Sequence, residues 1–267
     1  MGIAMMAWRK SVVLTVLLWL ATPLISMADQ PLTLVAASDL RYALDEILDR
    51  WHLDNPDSPV RVIYGSSGRF ATQIRQGAPF DLYLSADIAY TEALYRENLT
   101  AGPPRPYASG RLVLWSRDAS LSEAGIQALA SNPPQRLAIA RPTHAPYGDR
   151  ARQAMQTLGI WSALEPRLVY GENIAHTAQM AQSGAADAAI IALSLALHPT
   201  MQKSGHFSPV DSSLHAPLEQ ALVLTRQAAD KPAAWLLADF ILGPAARTVF
   251  TQYGFGVPSF AEKLPQP

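Results

Sequence analysis

Short apolar runs alternate with longer segments of helical spacing along the chain after residue 31. Leu32 to Ala37 is a β-prone run, and apolar residues then recur at i, i+3, i+4 and i+7 from Leu40 to Trp51. The same alternation predicts further strands over 60–64, 80–84, 112–115, 137–140, 168–170, 186–193 and 222–224, and further helices over 70–76, 87–95, 147–158, 173–183, 233–242 and 245–253. Strands that alternate with helices pair in parallel through crossover connections, so the pattern predicts an α/β fold.

The chain is predicted to pass between two α/β domains joined by crossing strands. The segment Pro103-Pro104-Arg105-Pro106 interrupts the pattern shortly before the apolar strand that begins at Leu112. Residues 222–224 are apolar in the same way as that strand, and the two closing helices follow them. We therefore expect domain I to comprise residues 29–110 and 223–267, and domain II to comprise residues 111–222.

The first 28 residues have the pattern of a cleaved signal peptide. Arg9 and Lys10 form a positive amino-terminal region, residues 11–25 are almost wholly apolar, and small residues precede the expected cleavage after Ala28. An uncleaved membrane anchor is the alternative, but the apolar run is short for a spanning helix and contains Pro23. No later segment is apolar enough to span a bilayer, so the mature chain is expected to be exported.

Composition excludes several classes of function. The chain contains no cysteine, which removes disulfides, thiolate metal sites, a cysteine nucleophile and a lipoprotein anchor. Its formal net charge is −1, and no basic run is present. The chain therefore lacks the electrostatic footprint of a protein that binds nucleic acid or anionic lipid.

Two hydroxyl-bearing turns follow predicted strands. Ser38 comes after the first strand, and the run Tyr64-Gly65-Ser66-Ser67-Gly68 joins the second strand to the next helix. Ligands of α/β sheets bind beyond the carboxyl ends of parallel strands, where helix amino termini present backbone N–H groups to anions. Two such turns at one sheet edge predict an anion site, in which the glycines let the backbone approach the ligand. The alternative is that the serines only cap the helices that follow them.

The sequence offers little support for catalysis. Gly65-Ser66-Ser67-Gly68 is not the G-x-S-x-G nucleophile elbow, and it lacks the lysine of a phosphate-binding loop. Loop histidines such as His144 have no metal-binding spacing and are expected to face solvent. A dianion can instead be held by neutral N–H and O–H donors while two domains close over it and exclude water. An exported serine hydrolase remains the alternative from a different class, because a triad can assemble across a fold.

Several segments together resemble one family. They are Val35-Ala36-Ala37-Ser38-Asp39-Leu40, Tyr64-Gly65-Ser66-Ser67-Gly68, Gln76-Gly77-Ala78-Pro79-Phe80-Asp81, Ser85-Ala86-Asp87, His144-Ala145-Pro146-Tyr147-Gly148 and Tyr253-Gly254-Phe255. In combination they resemble the periplasmic molybdate-binding proteins of ABC importers over nearly the whole mature chain. The resemblance implies a type II periplasmic-binding-protein fold, with the ligand in the cleft between the two domains.

The resemblance also implies how the first domain would hold the anion. The family's ligands fall on Ser38 and Ser67, each of which would offer its hydroxyl and its backbone N–H. Asp39 would add only its backbone N–H, because a carboxylate near a dianion is repulsive. Its side chain is therefore expected to turn away from the ligand or to cap the following helix.

In the second domain, the family's ligands fall on Tyr147 and on the backbone of Ile174, beside Asn173. One branch of the family has a ligand tyrosine in the late strand, where this chain has Ala192. The resemblance to a second branch implies that Tyr147 supplies that phenol from another loop. All these groups would contact oxygens of the anion, so no side chain is expected to ligate a metal ion.

The function that the resemblance implies is periplasmic capture of molybdate, and of tungstate, for delivery to the permease of an ABC importer. The protein would act as a monomer, without catalysis, a cofactor or a nucleic-acid partner. Arg69, Arg141 and Arg150 are expected to tune the field without binding the ligand. The alternatives are a receptor for another tetrahedral oxyanion or a small organic acid, and the serine hydrolase.

Overall fold

Two five-stranded sheets organise residues 31–256 and Pro258, the part of the chain that this computed structural model describes. The first sheet contains β1 (Leu32–Ala37), β2 (Val60–Gly65), β3 (Leu82–Ser85), β4 (Arg105–Gly110) and β10 (Leu218–Leu224), in the order β2-β1-β3-β10-β4. The second contains β5 (Leu112–Ser116), β6 (Leu137–Ala140), β7 (Leu168–Gly171), β8 (Ala188–Ala192) and β9 (His206–Pro209), in the order β7-β6-β8-β5-β9. The predicted signal peptide, residues 1–28, lies outside the described residues.

Helices connect the strands and cover the sheets. The α-helices are α1 (Arg41–Asp54), α2 (Ser67–Arg75), α3 (Ile88–Arg96), α4 (Ala119–Glu123), α5 (Gly125–Ala128), α6 (Pro146–Thr157), α7 (Trp161–Leu164), α8 (Ile174–Gln182), α9 (Leu193–Ala196), α10 (Pro199–Ser204), α11 (Pro232–Leu242) and α12 (Pro244–Gln252). Short 3₁₀ helices occupy Ser38–Leu40, Glu165–Arg167, Ser212–Leu214 and Arg226–Ala228. Each sheet with its helices is called a lobe below, the first lobe being built on β1 and the second on β6.

Both sheets are mixed, whereas the alternating pattern predicted parallel pairing throughout. In the first sheet β1 is parallel to β2 and β3, and in the second β6 is parallel to β7 and β8. The exceptions are β10 and β5, each of which is antiparallel to both of its neighbours. These two strands are reached directly from the other sheet, without the helical crossover that makes consecutive strands parallel.

The crossings between the lobes differ in detail from the predicted ones. The proline-rich segment was interpreted as a break, but Pro106 lies inside β4, which is an edge strand with an irregular register opposite β10. An edge strand tolerates proline because the missing N–H is not needed by a neighbour. The return strand β10 begins at Leu218, so the predicted division after residue 222 falls inside a strand of the first sheet.

Strand β1, in the interior of the first sheet, is buried on both faces. On β1, Leu34 packs into a cluster that includes the apolar side of α1, whereas Val35 packs into a separate cluster with Phe70 of α2. Two covered faces explain why β1 reads as a continuous apolar run rather than as an alternating one. The same holds for β8, whose five residues are all buried.

The order of elements places helix amino termini at the carboxyl ends of the parallel strands. The Ser38–Leu40 turn follows β1, α2 follows β2, α6 follows β6, and α8 follows β7. Because the carboxyl ends of parallel strands share one edge of a sheet, the four helix starts gather where the two lobes meet.

No single described helix has both the length and the hydropathy of a membrane span. The consecutive helices α11 and α12 meet those criteria only when taken together, and the pair is bent by 52°.

The start of α6 depends on a glycine at the second-lobe sheet. A Cβ on Gly148 would lie 1.9 Å from the backbone oxygen of Ala140 in β6. We expect Gly148→Ala to lower the free energy of unfolding by on the order of 3 kcal/mol, because the helix must move away from the strand. Urea denaturation monitored by circular dichroism measures this loss.

Gly102→Ala is the matched control, since its Cβ would meet only Trp235 at an ordinary 3.5 Å. Equal stabilities of the two variants would contradict the close approach of α6 to β6.

Candidate functional site

A small cavity lies where the helix starts of the two lobes face each other. The space available in it to the centre of a water molecule is about 10 Å³. The lining residues are mostly small or hydroxyl-bearing, and they include no lysine or arginine: Ala37, Ser38, Asp39, Gly65, Ser66, Ser67, Ala86, Ala145, Pro146, Tyr147 and Ile174. Five of the six predicted site residues therefore line one cavity, and the sixth, Asn173, adjoins Ile174.

Ser67 is the first residue of α2 and is completely buried. Its Oγ accepts a hydrogen bond of 3.0 Å from the backbone N–H of Ala86, and its carbonyl oxygen accepts one of 2.8 Å from the Tyr83 hydroxyl. A hydroxyl that accepts one hydrogen bond keeps its own hydrogen for donation. The cavity wall therefore contains a fixed O–H donor at the positive end of a helix.

Ser38 joins the two lobes. Its Oγ lies 3.1 Å from Asn173 Oδ1 and accepts a hydrogen bond of 3.2 Å from the backbone N–H of Ala175. Asn173 also caps α8, because its Oδ1 accepts the N–H of His176 at 2.9 Å. The structure thus brings Ser38 of the first lobe to the start of α8, where Ile174 is the first helical residue.

The contact between Ser66 and His144 was missed in the sequence. The Ser66 Oγ lies 2.8 Å from His144 Nδ1 and 2.6 Å from the His144 carbonyl oxygen. The expectation that His144 faces solvent is wrong, because its Nε2 is buried, with no partner among the described residues. Burial, and secondarily Arg69, lowers the pKa of this imidazole. The adjacent serines, Ser66 and Ser67, were the feature of the sequence that could have indicated this contact, because only one of the two hydroxyls was assigned to the ligand.

The glycines of this turn also make room for close neighbours. The backbone N–H of Gly68 donates to the carbonyl oxygen of His144 at 2.9 Å, and a Cβ on Gly68 would lie 2.8 Å from that oxygen. A Cβ on Gly65 would lie 2.6 Å from the ring of Phe70. Gly68 therefore admits the backbone of the opposite lobe, and Gly65, at the end of β2, admits a side chain of the helix that follows.

Tyr147 brings a phenol from the start of α6 into the cavity wall. Its side chain is almost fully buried, and its hydroxyl donates to Asp39 Oδ2 at 2.9 Å. Burial, reinforced by the Asp39 carboxylate, raises the pKa of Tyr147 well above its ordinary value. Ala192, at the end of β8, is fully buried and does not line the cavity. The phenol at this site therefore comes from α6.

Two alternatives were predicted for the Asp39 side chain, which were to turn away from the ligand or to cap the following helix. Its side chain makes no cap to the helix that follows, but reaches between the lobes, where Oδ2 also accepts a hydrogen bond of 2.6 Å from Gln220 Nε2. Asp39 is 1% exposed, and burial raises the pKa of its carboxyl to about 6. Gln220, on β10, is held in turn by the hydroxyl of Tyr107 at 2.8 Å.

Ion pairs close the cleft on either side of the cavity. Arg150 of α6 contacts Asp87 of the first lobe at 2.7 Å, and both side chains are largely buried. Arg69 of α2 pairs with Glu172 of the second lobe. Neither arginine lines the cavity. Arg69 and Arg150 therefore join the lobes. Their predicted effect on the electrostatic field of the site stays a prediction.

Comparison with known proteins agrees with this architecture. Residues 32–256 match the family of bacterial extracellular solute-binding proteins. The chain is 36% identical to proteins named molybdate-binding protein ModA from Azotobacter vinelandii over 195 residues and from Rhodobacter capsulatus over 198 residues, covering 73% of this chain and 77% of each relative. A solved periplasmic molybdate-binding protein of Azotobacter vinelandii superposes with a TM-score of 0.79 at 27% identity, covering 85% of this chain and all of that one.

The buried Asp39 carboxyl makes stability depend on pH. The folded state holds this proton up to about pH 6, whereas the unfolded chain releases it near pH 4, so the folded protein loses stability as pH rises between these values. We expect Asp39→Asn to raise the free energy of unfolding at pH 7.5 by on the order of 1–3 kcal/mol, with no gain at pH 3.5. Urea denaturation of the ligand-free variants at both pH values measures the difference.

Asp211→Asn is the control, because hydrogen bonds from Ser213 lower the pKa of Asp211 and its substitution should bring no such gain. If Asp39→Asn changes the free energy of unfolding by the same amount at pH 3.5 and pH 7.5, that result would contradict the raised pKa of the buried Asp39 carboxyl group.

Proposed function

The chain belongs to the family of bacterial extracellular solute-binding proteins, and from that premise we propose that it captures molybdate in the periplasm and delivers it to the permease of an ABC importer. Members of this family bind and release a solute, so no bond is made or broken. The two relatives at 36% identity carry the name of molybdate-binding proteins, which supports this choice of ligand.

The observation that carries the proposal is the convergence of helix starts on a cavity without cationic side chains. The turn at Ser38 and the first residues of α2, α6 and α8 all contribute to its wall. Each helix amino terminus favours an anion by about 0.3–1 kcal/mol at an exposed site and more when buried. A hydrogen bond to a charged group adds about 1.5–3 kcal/mol. Several such neutral donors can replace the water around an oxyanion.

The proposal extends to tungstate and to exclusion of sulfate. Molybdate and tungstate are tetrahedral dianions of nearly equal size, so donors placed for one serve the other. Sulfate has the same charge and shape but a shorter radius, and fixed donors at the ends of packed helices cannot follow it inwards. Selection against sulfate would therefore be geometric. The protein is proposed to act as a monomer, with the permease as its macromolecular partner.

The serine and histidine pair does not favour the hydrolase alternative. Ser66 and His144 are in contact, but the other imidazole nitrogen, Nε2, has no partner in the described part of the chain. A catalytic histidine is oriented by a third group on its second nitrogen. The pair instead contributes to the contact between the lobes, which fits the family's role as binding proteins.

Titration calorimetry with molybdate, tungstate and sulfate tests the proposal. We expect molybdate and tungstate to bind the mature protein with one-to-one stoichiometry and sulfate to bind at least about 100-fold more weakly. Binding of sulfate with equal affinity would contradict the geometric selection. The absence of binding by both molybdate and tungstate would contradict the proposed ligand.

Ser67→Ala tests the fixed donor at the start of α2. We expect the dissociation constant for molybdate to rise about 10- to 100-fold, because one hydrogen bond to the charged ligand is lost. The substitution also leaves the N–H of Ala86 without its acceptor, so the free energy of unfolding should fall by about 1–3 kcal/mol. Calorimetry well below the unfolding temperature separates the two effects.

Ser183→Ala is the control, since that hydroxyl is at the exposed end of α8 and bonds only to the carbonyl of Met180 in the described structure. An unchanged dissociation constant for Ser67→Ala would remove Ser67 from the set of ligands.

A further inference from the structure

A buried carboxyl group stands in the wall of the cavity without a cation beside it. Asp39 is 1% exposed and lines the cavity together with Ser38 and Ser67. Among the described residues, no lysine, arginine or histidine forms an ion pair with it. A carboxylate that is removed from water in this way is costly unless it is paired or protonated.

The two oxygens of Asp39 have unequal surroundings. Oδ2 accepts hydrogen bonds from the Tyr147 hydroxyl at 2.9 Å and from Gln220 Nε2 at 2.6 Å. Oδ1 is buried and has no hydrogen-bond partner in the described structure. A carboxylate is only an acceptor, whereas a protonated carboxyl group can also donate. A proton on Oδ1 would leave both hydrogen bonds to Oδ2 intact.

A dianion in the same cavity would add two negative charges next to this carboxyl group. When like charges share a site, the group that can take up a proton does so. We propose that the site binds its oxyanion together with one proton, which Asp39 carries on Oδ1 while the anion is bound. This inference rests on the proposed function, because it requires that the bound solute is a fully ionised oxyanion.

Among the described residues, the groups that face Asp39 do not change their charge near neutral pH. Tyr147 from α6 and Tyr107 from β4 are the titratable groups that interact with it, and burial raises the pKa of both phenols well above the ordinary value, so both stay neutral. Gln220 from β10 and Ser194 from α9 are uncharged. The pKa of Asp39 itself is already raised to about 6 by burial, and the two negative charges of a bound dianion would raise it further.

His144 is the competing proton carrier. It contacts Ser66 at the cavity, and a bound dianion would also favour its imidazolium form. Proton uptake alone therefore does not identify Asp39, and a variant of each residue is needed.

The inference predicts the number of protons taken up and the pH dependence of affinity. With a ligand-free pKa of about 6, uptake at pH 8 approaches one proton per molybdate and falls to about half a proton at pH 6. Linkage then requires the affinity to weaken about tenfold between pH 7 and pH 8.

Calorimetry of the mature protein with sodium molybdate tests both numbers. At each of pH 6, 7 and 8, titrations in two buffers of different ionisation enthalpy give the proton count. The wild type and the His144→Gln variant are expected to take up nearly one proton at pH 8. Asp39→Asn is expected to take up none and to bind with an affinity that changes less than threefold from pH 6 to pH 8.

Three results would overturn the inference. Binding by the wild type without proton uptake would show that Asp39 stays ionised beside the anion. Uptake that persists in Asp39→Asn and is lost in His144→Gln would assign the proton to the histidine. Failure of the wild type to bind molybdate at any pH would overturn the proposed function and this inference with it. Binding without proton uptake would overturn this inference alone.

Discussion

The structure depends on helix amino termini placed at the carboxyl ends of parallel strands in two facing lobes. The turn at Ser38 and the starts of α2, α6 and α8 bring partial positive charge to one small cavity. These helix starts are fixed by the packing of β1 and β6, whose residues form part of the cores of the lobes, and of β2 and β7, whose apolar residues pack against those cores. The core therefore determines where the anion site lies, and the cavity wall adds no lysine or arginine that the core would have to accommodate.

Contacts that join the lobes share residues with the cavity wall. Ser38 meets Asn173, Ser66 meets His144, and Tyr147 meets Asp39 across the cleft. Ser38, Ser66 and Tyr147 all line the cavity as well. A solute bound there necessarily interacts with the groups that hold the lobes together, so occupancy and closure are coupled by shared hydrogen bonds. The Arg150–Asp87 pair lies outside the wall and joins the lobes independently of the solute.

Much of this arrangement was predictable because local patterns encode it. The bounds of β1 and β6 follow from apolar runs, and Ser38 and Ser67 follow from hydroxyl residues placed after strands. Sequence patterns could not show partners that are distant along the chain. Ser66 and His144 are 78 positions apart, and Asp39 and Gln220 are 181 positions apart. The helix cap considered for Asp39 was suggested by its neighbours in sequence, whereas its partners come from α6 and β10. The antiparallel strands were missed because alternation of strands and helices does not reveal where the chain changes lobes.

Three alanines form part of the cavity wall and are buried: Ala37 and Ala86 of the first lobe, which pack against the core of the second lobe, and Ala145 of the second lobe. No residue other than glycine is smaller, so substitution at these positions can add atoms to the wall but scarcely remove any. In evolutionary terms, these three positions allow change in one direction only, because single mutations there can narrow the cavity by one methyl group at a time. A wider cavity has to come from larger wall residues such as Ile174, or from the backbones of two packed lobes moving apart.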